Sequence, residues 1–586
     1  MDIGLANYQW SQQLIASLVS SGITRFVISP GSRSTPLTLA VSRNRDAQHW
    51  LIIDERDAAF FALGQSKVDK IATALICTSG SAVANWLPAV VEANHSATPL
   101  LLLSADRPPE LHNCGANQTI QQHNIFGAEV RFNKSILPPD EIKNSDEYIQ
   151  QLVDTLIGKL GSNNSNQNII PGPLHLNIPF REPLLPSTLP PEISAKPIQE
   201  NIALNELPIP TYQIKESAEI VSIGAGLIIC GEAIYNSKFP LQLQKISKQL
   251  NVPILADSLS NLRWRAQQYD LLITNYDAVS EEIQIGVHIE WIIQFGKFPL
   301  SSSLNRYLHN HPPKKFITIQ HRQLWSDPLS LSTKRIEIEP ALFCSELYSE
   351  LKENQHSPAV NSTQQLLTDN LIKLNAKANS WSIGKRSSNK DLDLLSEQAI
   401  LQSIKSEIPA DGVLFSANSM AIRDIDCWLG KRSKPLKLFA NRGASGIDGN
   451  LATLCGIRSV IDSDTPLVAL LGDITIFHNL NALYIAQQIK GNTTIIILNN
   501  GGGNIFSQLP PAKLPEFKEL WLTPTNLDFK KAAALYNIEY QKIETQTEFD
   551  KLLPTLIKQN SVKLIELTIN PLFSKKLRQQ YWDSLL

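Results

Sequence analysis

Val468-Ala469-Leu470-Leu471-Gly472-Asp473, a helix-sized stretch, and then Thr493-Thr494-Ile495-Ile496-Ile497-Leu498-Asn499-Asn500-Gly501-Gly502-Gly503-Asn504-Ile505-Phe506 decide how this chain is read. Short apolar, β-branched runs bounded by turn formers are strands buried on both faces. If the two runs are neighbouring parallel strands, Asp473 and Asn500 emerge side by side at the carboxyl edge of a sheet, where α/β folds bind ligands. Either piece alone is an ordinary turn; the 27 positions from Asp473 to Asn500, with a helix-sized stretch between, make the pair specific. A hard cation such as Mg2+ takes oxygen ligands in a near-octahedral shell and shares phosphate oxygens. The carboxylate of Asp473, the amide oxygen of Asn500 and the carbonyl of Gly502 would supply the protein's share. The glycines let backbone N–H groups approach a phosphate.

At 586 residues the chain is too long for one hydrophobic core. With 43% hydrophobic and 18% charged residues and a formal net charge of -2, it reads as a soluble globular protein. No basic block or basic helix face calls for nucleic acid or a membrane surface. Cys77, Cys114, Cys230, Cys344, Cys427 and Cys455 form no C-x-x-C pair, which argues against a zinc site or redox dithiol and for a reducing compartment. No apolar run reaches transmembrane length, and the amino terminus lacks a signal-peptide pattern.

Three α/β units are expected, each a doubly wound, mostly parallel sheet: 1–185, 186–385 and 386–586. Strand candidates include Arg25 to Ile28, Trp50 to Ile53, Ala72 to Cys77 and Pro99 to Leu103 in the first, and Gly226 to Gly231, Val252 to Ala256 and Trp291 to Gly296 in the second. A Pro-rich linker, Pro183 to Pro197, divides these two, since Pro cannot continue a helix or central strand. A polar stretch, Ser382 to Asp391, is the expected second linker.

Ile52-Ile53-Asp54-Glu55-Arg56-Asp57-Ala58-Ala59-Phe60-Phe61 is a strand ending in a carboxylate followed by an apolar helix, with Glu55 at the helix start. Acidic residues favour that position through capping and the helix dipole alone. Four loops after strand candidates carry arginines: Ser29-Pro30-Gly31-Ser32-Arg33-Ser34-Thr35-Pro36, Ser104-Ala105-Asp106-Arg107-Pro108-Pro109, Ala417-Asn418-Ser419-Met420-Ala421-Ile422-Arg423, and Asn441-Arg442-Gly443-Ala444-Ser445-Gly446-Ile447-Asp448-Gly449. A planar guanidinium fork suits carboxylates, so a substrate pair bearing several carboxylates would need such a lining. Gly115-Ala116-Asn117-Gln118-Thr119-Ile120 adds neutral amides.

The Asp473/Asn500 motif resembles that of thiamine-diphosphate (ThDP) enzymes. The arginine motifs and Gly-Ala-Asn-Gln-Thr-Ile narrow the resemblance to the MenD family, the 2-succinyl-5-enolpyruvyl-6-hydroxy-3-cyclohexene-1-carboxylate (SEPHCHC) synthases. It covers essentially the whole chain and is weakest in the middle unit. It implies a pyrimidine-binding unit, a central unit and a diphosphate-binding unit, and a homodimer or dimer of dimers in which one subunit's first unit faces the other's last. It further implies decarboxylation of 2-oxoglutarate and 1,4-addition of the resulting succinyl carbanion equivalent to isochorismate, in menaquinone or phylloquinone biosynthesis. Glu55 is carried over as the proton-shuttling group beside the aminopyrimidine. Gly472, Asp473, Asn500 and Gly502 are carried over as the diphosphate and Mg2+ (or Mn2+) ligands, and Ile447 as the prop under ThDP, although Ile447 also reads as plain core. Arg33, Arg107, Asn117, Gln118 and Arg442 would hold isochorismate, Ser419 and Arg423 the succinyl carboxylate, and Ser32 is a further substrate-binding residue. Lys297 has an uncertain register, and His478 reads as a packing or supporting group. The expected compartment is a bacterial cytoplasm or a plastid stroma.

Overall fold

The computed structural model describes residues 2–161, 170–189, 211–233, 235–264, 269–279, 285–320, 326–353, 361–388 and 393–586. Among them are three six-stranded sheets in which every pairing is parallel. The first comprises β1 (Arg25–Ile28), β2 (Gln48–Leu51), β3 (Thr73–Cys77), β4 (Leu100–Asp106), β5 (Phe132–Ser135) and β6 (Pro173–Pro179), in the order 2-1-3-4-6-5. The second comprises β7 (Gly226–Cys230), β8 (Ile254–Ala256), β9 (Leu272–Ile273), β10 (Trp291–Phe295), β11 (Lys315–Gln320) and β12 (Lys334–Glu337), in the order 12-11-10-7-8-9. The third comprises β13 (Gly412–Ser416), β14 (Leu436–Ala440), β15 (Leu467–Gly472), β16 (Thr493–Asn499), β17 (Glu539–Ile543) and β18 (Val562–Thr568), in the order 14-13-15-16-18-17.

Each sheet has a point where the strand order reverses, and ligands of doubly wound folds gather at the carboxyl ends there. In the first sheet the reversal lies between β1 and β3, which lead to Ser29–Arg33 and Thr78–Gly80. In the second it lies between β7 and β10, leading to Gly231-Glu232 and Gly296-Lys297. In the third it lies between β13 and β15, leading to Asn418-Ser419 and Asp473.

Several expectations shift. The strand expected at Trp50 to Ile53 is Gln48–Leu51, because the turn into the next helix takes Ile52 and Ile53. The strand expected to stop at Leu103 runs on through Ser104, Ala105 and Asp106, whose polar groups are satisfied inside the sheet. Ser382 to Ser388 is not a linker but the end of helix Ser362–Ser388, held by buried Leu367, Leu371 and Ala378, while 389–391 lie outside the described residues. Of the Pro-rich linker, 190–197 likewise lie outside them.

The first and third units pack through helices Glu55–Asp69 and Asn450–Arg458. A Cβ on Gly64 would lie 2.1 Å from the Thr453 carbonyl oxygen, and one on Gly456 would lie 2.0 Å from that of Phe61. Glycine on both sides lets the two backbones touch.

Candidate active site

Parallel pairing sets Gly472 opposite Leu498, so Asp473 and Asn500 leave adjacent strand ends. Asp473 opens helix Asp473–His478 with Gly472 at its N-cap. It is 3% exposed, and burial pushes its carboxyl up to about 6 against the backbone N–H groups of Ile474, Gly502 and Gly501, which favour the ionised form. The Oδ1 and the backbone carbonyl of Asn500 accept from Asn504 Nδ2 at 3.1 and 2.5 Å. Gly502 has φ +129°, and a Cβ there would lie 2.1 Å from the Leu522 carbonyl oxygen, so only glycine fits. No cluster of three or more His, Cys, Asp or Glu among the described residues is arranged to hold a metal. A buried carboxylate beside an amide and a carbonyl oxygen offers part of the oxygen shell that a hard cation takes.

On the same sheet edge, Ser419 sits at φ +64° before helix Met420–Trp428, and Arg423 Nη1 donates to its carbonyl at 2.6 Å. Arg442 Nη1 donates to Asn418 Oδ1 at 2.7 Å, and Asn418 Nδ2 donates to the carbonyls of Asn441 (2.7 Å) and Gly446 (2.6 Å). The Arg423 guanidinium is held below its usual value by burial and then by Arg442, so the two cations are neighbours. A cavity of about 400 Å³ is lined by Met420, Arg423, Asn500 and Asn504. Ile447 is half-buried and so is not a plain core residue. Lys297 Nζ donates to the Arg442 carbonyl and to Glu232 Oε2, both at 2.9 Å, which gives it a supporting place beneath Arg442.

The first sheet gathers a second arginine group. Arg33 is buried; its guanidinium donates to the Phe180 carbonyl at 2.9 Å and to Glu182 Oε1 at 2.7 Å. Arg107 bonds Ser79 Oγ, and its pKa is lowered by burial and then by Arg33. Gln118 Nε2 donates to the Ser79 carbonyl at 2.9 Å. Ser32 and Asn117 stand exposed at the rim. Among the described residues, no hydrogen bond or ion pair joins this group to Arg423 or Arg442.

Glu55 is the first residue of its helix, capped by Asp54, whose Oδ1 accepts from Arg56 N (3.0 Å) and Asp57 N (3.3 Å). Burial, and secondarily Asp54, raises the Glu55 carboxyl. Its cavity of about 540 Å³ is lined by Leu51, Ile53, Asp54, Asn85, Asn481 and Tyr484, and shares no residue with the cavity at Asn500 and Arg423. Within one chain the expected proton shuttle and the expected clamp are thus apart. His478 is exposed rather than packed; its carbonyl accepts from Arg56 Nη2 at 3.2 Å.

Sequence reasoning missed Glu92. This 2% exposed acid on helix Leu87–His95 receives the backbone N–H groups of Gly443 (2.8 Å), Ala444 (2.7 Å) and Ser445 (3.3 Å), the loop that follows Arg442. Its only signal was a lone acid in an apolar helix.

Two family models match the chain: the N-terminal TPP binding domain of thiamine pyrophosphate enzymes over residues 9–127, and their C-terminal TPP binding domain over 427–567. The chain thus carries both halves of a ThDP site. It is 33% identical over 585 residues to the SEPHCHC synthase of Bacillus pumilus, covering 98% of this chain and 96% of that one. It is 36% identical over 576 residues to that of Dechloromonas aromatica (97% and 99%). It is also 36% identical over 554 residues to that of Chloroflexus aurantiacus (91% and 88%).

Proposed function

Because this chain belongs to the family of 2-succinyl-5-enolpyruvyl-6-hydroxy-3-cyclohexene-1-carboxylate synthases, we propose that it decarboxylates 2-oxoglutarate and adds the resulting succinyl carbanion equivalent to isochorismate. The products are SEPHCHC and CO2, on the way to menaquinone or phylloquinone. One juxtaposition supports this assignment best: a single cavity is lined both by Asn500, beside the buried Asp473 carboxylate, and by Arg423, next to Arg442. A diphosphate-metal clamp beside two guanidiniums suits a thiamine cofactor and a dicarboxylate substrate better than a small monocarboxylate.

Asp473, Asn500 and the Gly502 carbonyl would hold Mg2+ or Mn2+ against the diphosphate. Bound ThDP supplies the electron sink into which a 2-oxo acid loses CO2. Glu55, its carboxyl raised by burial, would hold and return a proton at N1' of the aminopyrimidine. Ile447 would support the cofactor from below. Ser419 and Arg423 would orient the succinyl carboxylate. Ser32, Arg33, Arg107, Asn117, Gln118 and Arg442 would orient isochorismate, Arg33 exchanging Glu182 for a substrate carboxylate. We assign the pyrimidine-binding, central and diphosphate-binding units to 1–185, 186–385 and 386–586.

A homodimer would bring Glu55 of one subunit to the clamp of the other. The separate cavities support this, as does the apolar rim at Glu55, where Leu51 is 59% exposed, Ile53 64% and Tyr484 44%. No helix among the described residues is long and apolar enough to cross a membrane, and all six cysteines are free. A bacterial cytoplasm or a plastid stroma fits both.

The test combines purified protein, ThDP, Mg2+, 2-oxoglutarate and isochorismate. An adduct of isochorismate and a succinyl semialdehyde unit by mass spectrometry, dependent on ThDP and metal, is expected. Turnover of pyruvate in place of 2-oxoglutarate would move the chain to another branch of ThDP enzymes.

A further inference from the structure

The loop carrying Arg442 is held from three sides. From its own unit, Asn418 takes the carbonyls of Asn441 and Gly446. From the middle unit, Lys297 takes the carbonyl of Arg442 itself. From the first unit, the Glu92 carboxylate receives three successive N–H groups, Gly443 to Ser445. Helix Leu87–His95 approaches so closely that a Cβ on Gly443 would lie 2.3 Å from the Glu92 carbonyl oxygen and 2.9 Å from Ser96 N. Lys67 Nζ lies 3.4 Å from Glu92 Oε1 and donates to the Ala440 carbonyl at 3.2 Å, so it ties the same acid to the end of β14. Lys67 and Glu92 have side chains only 5% and 3% exposed.

We propose that Glu92 is a positioning residue for isochorismate: by clamping the 443–445 backbone it fixes the direction of the Arg442 guanidinium, and Lys67 fixes Glu92. Three N–H groups converging on one buried carboxylate form charge-assisted bonds that an amide cannot reproduce, because its –NH2 would face N–H donors. The same chain's first unit thereby shapes the substrate lining of its last. Arg423, whose guanidinium donates to the Ser419 carbonyl, shares no hydrogen bond with Glu92 or with the 443–445 backbone, so the effect falls on one substrate.

This inference rests on the assignment of Arg442 to isochorismate, and the test separates the two. Steady-state kinetics with each substrate varied in turn are measured for Glu92→Gln, Arg442→Ala and the double variant. Glu92→Gln is expected to raise the KM for isochorismate roughly ten- to a hundredfold, the span of one charge-assisted hydrogen bond. The KM for 2-oxoglutarate, and its decarboxylation with an artificial electron acceptor, stay near wild type. In the Arg442→Ala background Glu92→Gln adds little further, because it acts through Arg442. A full additional loss in that background, or an equal loss for both substrates, would overturn the proposal. If Arg442→Ala alone leaves isochorismate use intact, the assignment of Arg442 falls instead. Should Glu92→Gln fail to fold because Lys67 is left with an unpaired buried charge, Lys67→Met/Glu92→Gln removes both charges. It is expected to show the same selective rise, and wild-type kinetics from that pair would overturn the proposal equally.

Discussion

The Asp473 carboxyl sits at about 6 because burial outweighs the backbone N–H groups aimed at it. A carboxyl raised in the folded state contributes stability while protonated; that contribution is complete below the ordinary carboxyl value of 3.8 and is lost as pH rises through about 6. A divalent cation binds the ionised form and so offsets the loss where it is largest. Asp473→Asn should therefore make the ligand-free chain more stable above about pH 7, by on the order of 2 kcal/mol in urea unfolding. The same variant should lose the thermal protection given by Mg2+ and ThDP. In the wild-type chain that protection should be large above about pH 7 and small below about pH 5. Protection that is equal at both pH values would separate Asp473 from the metal. At the other half of the site, Glu55→Gln should still bind ThDP yet lose C2–H exchange and turnover by roughly a hundred- to ten-thousandfold. Proton exchange followed by NMR reads this directly, and a wild-type exchange rate would remove Glu55 from proton transfer. Arg107→Ala should raise the KM for isochorismate by about tenfold or more while sparing that for 2-oxoglutarate.

At the scale of elements, the crossing of helices Glu55–Asp69 and Asn450–Arg458 depends on Gly64 and Gly456, each without room for a methyl group against the opposing backbone. Gly64→Ala gains helix propensity but must push the Thr453 carbonyl away, so a net destabilisation of about 1–3 kcal/mol is expected. An alanine variant with an unchanged unfolding midpoint would show that the crossing has slack. This contact was not legible in the sequence, where Gly64 is one small residue in an apolar helix. The strands were legible, since parallel strands covered on both faces read as unbroken apolar runs such as Thr493 to Leu498. Polar residues whose partners lie far along the chain were not legible. Ser104 looked like the start of a loop, but its hydroxyl meets His175 Nε2 at 2.7 Å and Asn177 Oδ1 at 2.8 Å, and Asn177 Nδ2 donates to Asp106 at 2.7 Å. Burial pushes His175 down to about 3, so it stays neutral within that network. The stretch after Ser382 is polar for a different reason: it continues a helix through Ser388, and the Ser382 hydroxyl donates one turn back to the Ala378 carbonyl at 3.1 Å. The placement of Asp473 and Asn500 at adjacent strand ends was legible because it follows from local residue type and spacing. Glu92 was not, because its three partners lie about 350 positions away along the chain.

For the molecule as a whole, the decisive property is that Glu55 and Asn500, the neighbour of Asp473 at the sheet edge, line different cavities of one chain. If a second copy completes each site, every site combines Glu55 of one subunit with Asp473 of the other, and a two-fold dimer holds two such sites. Glu55→Gln and Asp473→Ala homodimers should each be inactive. Mixing them under conditions that exchange subunits gives heterodimers in which one site carries both defects and the other carries neither. With random exchange half of the dimers are mixed, so activity should return to about a quarter of the wild-type value. Sites built within single chains would give no recovery, since every chain in the mixture bears one lesion. Recovery would also fail if Glu55 acted on its own chain through a large domain movement, whereas a dimer-spanning site restores activity in proportion to the mixed species. Native mass spectrometry counts those species independently of turnover, so the recovered activity can be compared with the fraction of mixed dimers at each mixing ratio.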